Sequence, residues 1–168
     1  MIYITKEEKI KKSWIEKLND TKDLPKVVKV RGKMIGKWGL KEEDTLAIPS
    51  PLEVNEIMKK VPKGKLITIN LIREIIAKKH GAKLGCPITT GIFVKIVAFA
   101  AEEMREKGLK DITPYWRTLK GKGFLNEKFP GGSEAQSKKL QEEGFNIIRK
   151  GKNLKVENYE KFLFLIRI

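Results

Sequence analysis

The chain has 168 residues, 40% of them hydrophobic, and a formal net charge of +15 from 36 Lys and Arg against 21 Asp and Glu. That length suits one domain, or one domain with an N-terminal extension, and the apolar share excludes a disordered chain. A single cysteine, Cys86, excludes an intramolecular disulfide, and no apolar run reaches the length of a membrane span; the expectation is a soluble cytoplasmic protein, nucleoid-associated in a prokaryote.

The charge is spread through the body. Residues 1–50, 51–110 and 111–168 each carry 12 cationic residues, against 8, 6 and 7 anionic ones. Such a surface suits a polyanion partner, most simply nucleic acid. A Lys/Glu-rich surface selected for solubility or heat stability has the same composition, so charge alone leaves both readings open.

In chain order, Thr5 and Glu8 have capping-box spacing and predict a helix through Leu18, with Ile10, Trp14 and Leu18 on one face. Residues 19–25 read as a loop and Lys26 to Val30 as a short strand. Residues 31–47, with Gly32, Gly36 and Gly39, read as irregular. Residues 1–49 are therefore expected to form an extension packed on the main domain, anchored by Trp14 and Trp38.

Ser50, Pro51 and Glu53 predict a helix start with a complete capping box, and Val54, Ile57, Met58 and Val61 form its apolar stripe. Pro62-Lys63-Gly64-Lys65 ends it. Leu66-Ile67 is a short extended piece, and Thr68 caps a second helix with Ile69, Ile72, Ile75 and Ile76 facing inward and His80-Gly81 at its end. Cys86-Pro87 opens a longer helix through about Lys107. Between 88 and 101 its one charged residue is Lys95. Ile92, Ile96, Phe99 and Met104 are the expected buried stripe, with Gly91, Lys95, Ala98 and Glu102 on a second, small-residue face suited to close approach. Two helices joined by a tight turn read as a helix-turn-helix.

Residues 112–119 read as a strand, which would send Tyr115 and Trp116 to opposite faces. A Gly-rich turn follows at 121–123. A further helix is expected with Ser133 as N-cap and Gln136 at its third position. Residues 147–156 read as a hairpin around Gly151, a basic wing. Lys95, Lys120, Lys122, Arg149, Lys150 and Lys152 flank this arrangement as phosphate-contact candidates.

The series Val61-Pro62-Lys63-Gly64, Pro87, Pro114-Tyr115-Trp116-Arg117, Gly131-Gly132 and Glu143-Gly144, across roughly 52–150, resembles the C-terminal DNA-binding domain of the O6-alkylguanine-DNA alkyltransferases. That family carries a Pro-Cys-His-Arg motif, with the cysteine activated through a histidine and a glutamate. Tyr115 stands at the cysteine position and Trp116 at the histidine position, so the nearest comparison is to the alkyltransferase-like proteins, which lack the acceptor cysteine. A phenol with a pKa near 10 is mostly protonated at neutral pH, and an indole N–H only donates. Glu143 matches the family glutamate; without a histidine to orient, it reads as a surface helix residue. The family extrudes a nucleotide with a tyrosine of the first helix and an arginine of the recognition helix, and those positions here are Ile69 and Gly91.

The resemblance implies a mainly α winged helix-turn-helix fold with small β elements, like the alkyltransferase C-terminal domain. It implies residues 50–157 as the DNA-binding domain and 158–168 as a tail. Thr89, Thr90, Gly91, Lys95, Lys120 and Lys122 are then the expected DNA contacts. Tyr115, Trp116, Arg117, Pro130 and Gly131 are the expected base pocket, with Arg117 supporting the loop. No catalytic residue, metal or cofactor is expected: Cys86 reads as a small capping residue, and His80 with Cys86 lacks the further ligands zinc requires. The expected partner is double-stranded DNA, with alkylated guanine and repair proteins as the extension the family implies, bound by a monomer. Two other readings remain: a protein-interaction or regulatory module on the same fold, and an enzyme with another activity in the pocket under Tyr115.

Overall fold

The computed structural model describes residues 11–166. The helix start expected at Thr5 lies outside them. Within them, helix α1 (Trp14–Asn19) begins only after Ser13, whose hydroxyl accepts from the Glu16 N–H while the Glu16 carboxylate accepts from the Ser13 N–H. This capping box replaces the expected continuous helix, because residues 11–13 are not helical. Trp14 stacks on Phe99 at 4.6 Å between ring centroids, and the Glu103 carboxylate accepts the Trp14 N–H at 2.8 Å. Trp14 is thus an anchor of the N-terminal region. Trp38 is not: it remains 43% exposed.

Strand β1 (Lys26–Lys29) pairs antiparallel with β2 (Thr45–Ile48), in register from Lys26 opposite Ile48 to Lys29 opposite Thr45. Strand β2 was expected to be irregular; its four residues are too few to show alternation. It also pairs parallel with β4 (Leu84–Gly85). The N-terminal segment and the helix-turn-helix therefore share a sheet. Cys86 follows β4 directly, its N–H donating to the Ala47 carbonyl of β2 at 2.8 Å, and is buried with Val30, Leu40 and Leu46.

Helix α2 (Pro51–Lys59) starts as expected, with the Ser50 hydroxyl accepting from the Glu53 N–H and Pro51 in the first turn. The capping box is only half made. Glu53 Oε1 faces the His80 ring and Lys79, 3.4 Å away, which turns the carboxylate from Ser50 and leaves its buried Oε2 without a hydrogen-bond partner among the described residues. Thr68, at the end of β3 (Ile67–Thr68), caps α3 (Ile69–Lys79) by accepting the Leu71 N–H at 3.2 Å. Strand β3 pairs parallel with β5 (Thr118–Leu119).

Helix α4 (Pro87–Glu106) has Pro87 in its first turn and Cys86 as N-cap. Its rotation differs from the expected stripe. Val94, Val97, Ala98 and Ala101 are buried against Val54, Met58, Ile72 and Ile76. Ile96, Phe99 and Met104 are half-buried, and Ile92 is exposed. With residues 88–101 almost wholly apolar, periodicity does not fix which side turns inward; packing on α1, α2 and α3 does. Ala98 is therefore core, and the proposed small-residue face divides: Gly91 and Lys95 point outward while Glu102 reaches inward to Tyr115.

Residues 115–117 form a 3-10 turn, not a strand, before β5. Helix α5 (Gly132–Glu142) is preceded by Gly131 in a left-handed conformation, and Ser133 lies inside its first turn without capping it. Gln136 is instead a buried tie: its carbonyl accepts the Asn126 N–H at 2.7 Å and its amide donates to the Trp116 and Thr118 carbonyls. Strands β6 (Ile147–Lys150) and β7 (Asn153–Val156) form the expected hairpin. The chain ends along the body, with the Leu66 N–H donating to Phe162 and the Phe164 N–H donating to Leu66. The fold is mainly helical with small sheets, a helix-turn-helix (α3, α4) followed by a hairpin wing. No described helix is long and apolar enough to cross a membrane.

Candidate nucleic-acid interface

Helix α4 leaves its first three turns partly uncovered. Ile88 is 58% exposed and Ile92, one turn on, is 51% exposed. With Gly91 and Lys95 they line a cleft of about 640 Å³, whose other wall is Ile69 of α3 and the loop carrying Lys120, Glu127 and Lys128. A Cβ added at Gly91 would meet nothing within 4 Å, so the helix backbone itself is open to the cleft there. Ile69 and Gly91 thus sit in one cleft.

The charge of this cleft is set by few groups. Lys120 is paired with Glu127 at 2.9 Å. Lys95 makes no ion pair among the described residues; its Nζ lies 5.9 Å from the centroids of both Trp14 and Phe99. Lys128 is exposed and also without an ion pair among the described residues. Of the expected DNA contacts, Gly91, Lys95 and Lys120 come together here. Thr90 does not, because it is fully buried on the core side of α4, and the Thr89 hydroxyl is also enclosed. Lys122, exposed with φ 62°, does not line the cleft. Neither do Arg149, Lys150 and Lys152 of the wing, where Arg149 lies 3.4 Å from Glu134. Composition gave no warning of Ile88 as an exposed group, and Ile92 read as part of the buried stripe.

The Pro114–Arg117 segment is built differently from the expected pocket. Tyr115 is 2% exposed, and its ring meets Trp116 and Phe129 edge-on at 5.4 Å. Its hydroxyl donates to Glu102 at 2.7 Å. Burial, and then the hydrogen bond to the Glu102 carboxylate, push the phenol well above its ordinary range. Burial alone would push the Glu102 carboxyl up, but bonds from Tyr115 and Arg105, with the charges of Arg105 and Lys139, hold it below its ordinary value. Tyr115 is therefore core, not a pocket wall. A strand would have left open which ring packs inside, and the resemblance favoured Tyr115 as the pocket wall; the 3-10 turn buries Tyr115 and leaves Trp116 half-buried. Pro130 and Gly131 shape the turn into α5: Gly131 has φ 76°, and a Cβ there would come 2.6 Å from the Ala135 Cβ.

Glu143 is not the surface helix residue expected. Its side chain is only 8% exposed and serves three donors. The Trp116 indole N–H donates to one carboxylate oxygen. Arg117 Nε donates to the other at 2.9 Å, and the Gly64 N–H reaches it at 3.4 Å. Arg117 Nη1 also donates to the Val61 carbonyl at 2.8 Å. Arg117 is therefore a support for this loop, and Trp116 shares its glutamate.

Outside this core, Pro114, Trp116 and Arg117 border a second cleft of about 370 Å³ with Lys59, Lys60 and Lys110. Lys139 Nζ lies 4.9 Å from the Trp116 ring centroid. Among the described residues no group of three or more His, Cys, Asp or Glu is placed to hold a metal ion. His80 is engaged with Glu53, on a different element from buried Cys86.

No protein-family model matches the sequence, and no curated protein matches it. Solved structures similar to the chain include a crystal structure of S. pombe Atl1 in complex with damaged DNA containing O6-carboxymethylguanine, and one of S. pombe ATL in complex with DNA. Each is 19% identical with a TM-score of 0.47, covering 68% of this chain and 93% of that chain.

Proposed function

We propose that this chain is a non-enzymatic DNA-binding protein that holds duplex DNA against the exposed start of α4. The observation that carries the reading is the cleft where Ile88, Gly91 and Ile92 are flanked by Lys95, Lys120 and Lys128. An apolar, backbone-open floor beside cations fits a groove between phosphate rows. The net charge of +15 adds long-range attraction. Residues 50–157 are the proposed binding unit, acting as a monomer.

Alkyl transfer is not part of the proposal. Tyr115 is buried with its proton held toward Glu102, Trp116 offers no base, and Cys86 is buried at the end of β4. Recognition of alkylated guanine is a second reading, favoured by one observation: half-buried Trp116 borders the basic cleft beside Pro114 and Arg117. A base read there would meet Trp116, not Tyr115, and stacking on an aromatic face is worth about 1–3 kcal/mol per base.

Fluorescence anisotropy with duplexes containing guanine or O6-methylguanine, at rising salt, tests both readings. Duplex binding by phosphate contact gives a log–log salt slope of about −0.9 per phosphate neutralised. Binding that ignores salt, or none at low salt, refutes the DNA reading and leaves a protein-interaction module. Equal affinity for the two duplexes removes the lesion reading alone.

A further inference from the structure

We infer that the 31–41 loop of the N-terminal region is a binding site for single-stranded nucleic acid, in which Trp38 stacks on an unpaired base and the loop's lysines take the flanking phosphates. The site goes beyond the duplex reading: it lies outside the 52–150 stretch, and Trp38 is not among the residues of the α4 cleft. Trp38 has φ 52° and ψ 27°, the left-handed region that a bulky side chain rarely enters. The other non-glycine residues there, among those described, are Lys22, Glu43, Lys122 and Asn158, all polar. Backbone strain of this kind persists only where the surroundings enforce it, and it clusters at functional positions. Here the surroundings are a closed ring. The Gly36 N–H donates to the Leu40 carbonyl at 2.7 Å, and the Leu40 N–H donates to the Lys37 carbonyl at 2.9 Å. Leu40 is buried with Val30, Leu46 and Cys86, and Met34 packs on the same cluster. These two side chains anchor the loop while Trp38 stays 43% exposed and Ile35 46%. The other two tryptophans have ring partners, Phe99 for Trp14 and Tyr115 for Trp116; Trp38 stacks on no ring among the described residues.

The occupant is identified by charge and shape. Residues 31–41 hold four cations, Arg31, Lys33, Lys37 and Lys41, and no acid. Arg31 lies 3.2 Å from Glu43, which Lys29 also approaches at 3.3 Å. Lys33, Lys37 and Lys41 are exposed and in no ion pair among the described residues. A matching partner offers a flat apolar face with anions beside it. An unpaired nucleotide does so, and every base has such a face, so the site tolerates any sequence. Within a duplex the base faces are covered by their neighbours, and a stacking tryptophan therefore selects single strands. An acidic peptide supplies the anions without the flat face. DNA and RNA share the required chemistry.

The test uses the full chain with short oligothymidylate, short oligouridylate and a fully paired duplex. Wild type is expected to bind both single strands with quenching of tryptophan emission, and the tighter of the two names DNA or RNA as the source. Trp38→Gly removes the ring and suits the left-handed backbone, so its Tm is expected to stay near wild type. It is expected to lose about tenfold in single-strand affinity, together with the quenching, while duplex affinity is unchanged. Trp38→Phe is expected to restore most of the affinity. Lys37→Ala/Lys41→Ala is expected to lower the single-strand salt slope by about 1.4, at about 0.7 per phosphate, and to keep the quenching at saturation. A Trp38→Gly variant that binds single strands like wild type overturns the site. So does an equal loss for single strands and duplex, which makes the loop a general contact. A Tm loss of about 10 °C or more in Trp38→Gly makes the ring a packing anchor and overturns it too. Trp38-dependent capture by phosphatidylserine–phosphatidylcholine vesicles, with single-strand binding indifferent to Trp38, assigns the loop to a lipid surface and overturns the proposal. The duplex reading stands or falls on its own titration, because no variant here alters the α4 cleft.

Discussion

Replacing Glu143 with alanine is expected to destabilise the protein by about 3–5 kcal/mol, the usual cost of removing one partner from a buried ion pair. The reasoning is local. Arg117 is 13% exposed in its side chain and Glu143 only 8%, at 2.9 Å, so solvent does little to compensate the guanidinium once the carboxylate is gone. The Trp116 indole N–H also loses its acceptor. Arg117 retains only the Val61 carbonyl. For a chain of this length each kcal/mol shifts Tm by about 2–4 °C, so a drop of roughly 10 °C is expected by calorimetry. Urea unfolding of Glu143→Ala, Arg117→Leu and the double variant gives the coupling directly. The double variant should recover much of the loss, because it leaves no buried charge alone. A single-variant loss within about 0.5 kcal/mol, the range for ordinary surface substitutions, would refute the buried hub.

Three further outcomes are expected. Lys95→Glu should weaken duplex binding by on the order of 1 kcal/mol or more and lower the salt slope by about 1, measured by anisotropy; wild-type behaviour counts against the α4 assignment. Tyr115→Cys should remain unlabelled by O6-alkylguanine DNA carrying a tagged alkyl group and should lose about 3–5 kcal/mol of stability, since a buried ring is removed and no base stands beside the new thiol; stoichiometric labelling of the folded variant would overturn this. The folded Glu102 carboxyl titrates below its ordinary value of 4.5, so its contribution to stability is present above that value and is lost as pH falls through the depressed one. Glu102→Gln should therefore unfold more easily at neutral pH and show a shallower acid decline, followed by denaturant midpoint against pH; an unchanged acid profile removes the proposed Glu102 linkage.

What was legible in the sequence was what neighbours in the sequence decide. Ser50 with Pro51, Thr68, and Pro87 each mark a helix start by local hydrogen bonding or fixed backbone geometry, and Gly151 marks the hairpin by its left-handed φ of 63°. The misreadings share a different origin, in which a side chain is claimed by a distant partner. Glu53 answers His80, 27 residues away, instead of its own cap, and Gln136 ties backbone groups 10 to 20 residues away instead of serving a cap at Ser133. Glu143 read as surface because the partner it was compared against, a histidine, is absent. Yet Trp116 at that position still offers an N–H, and Arg117 brings the charge that keeps a carboxylate there. Hydrogen bonds from Trp116 and Arg117 to Glu143 thus shape the loop. Tyr115 goes further: its ring fills the interior, and its hydroxyl is tied to Glu102 on α4. The phenol thereby bonds the Pro114–Arg117 turn to the helix proposed to meet DNA, so that turn and helix are held together from the inside of the fold.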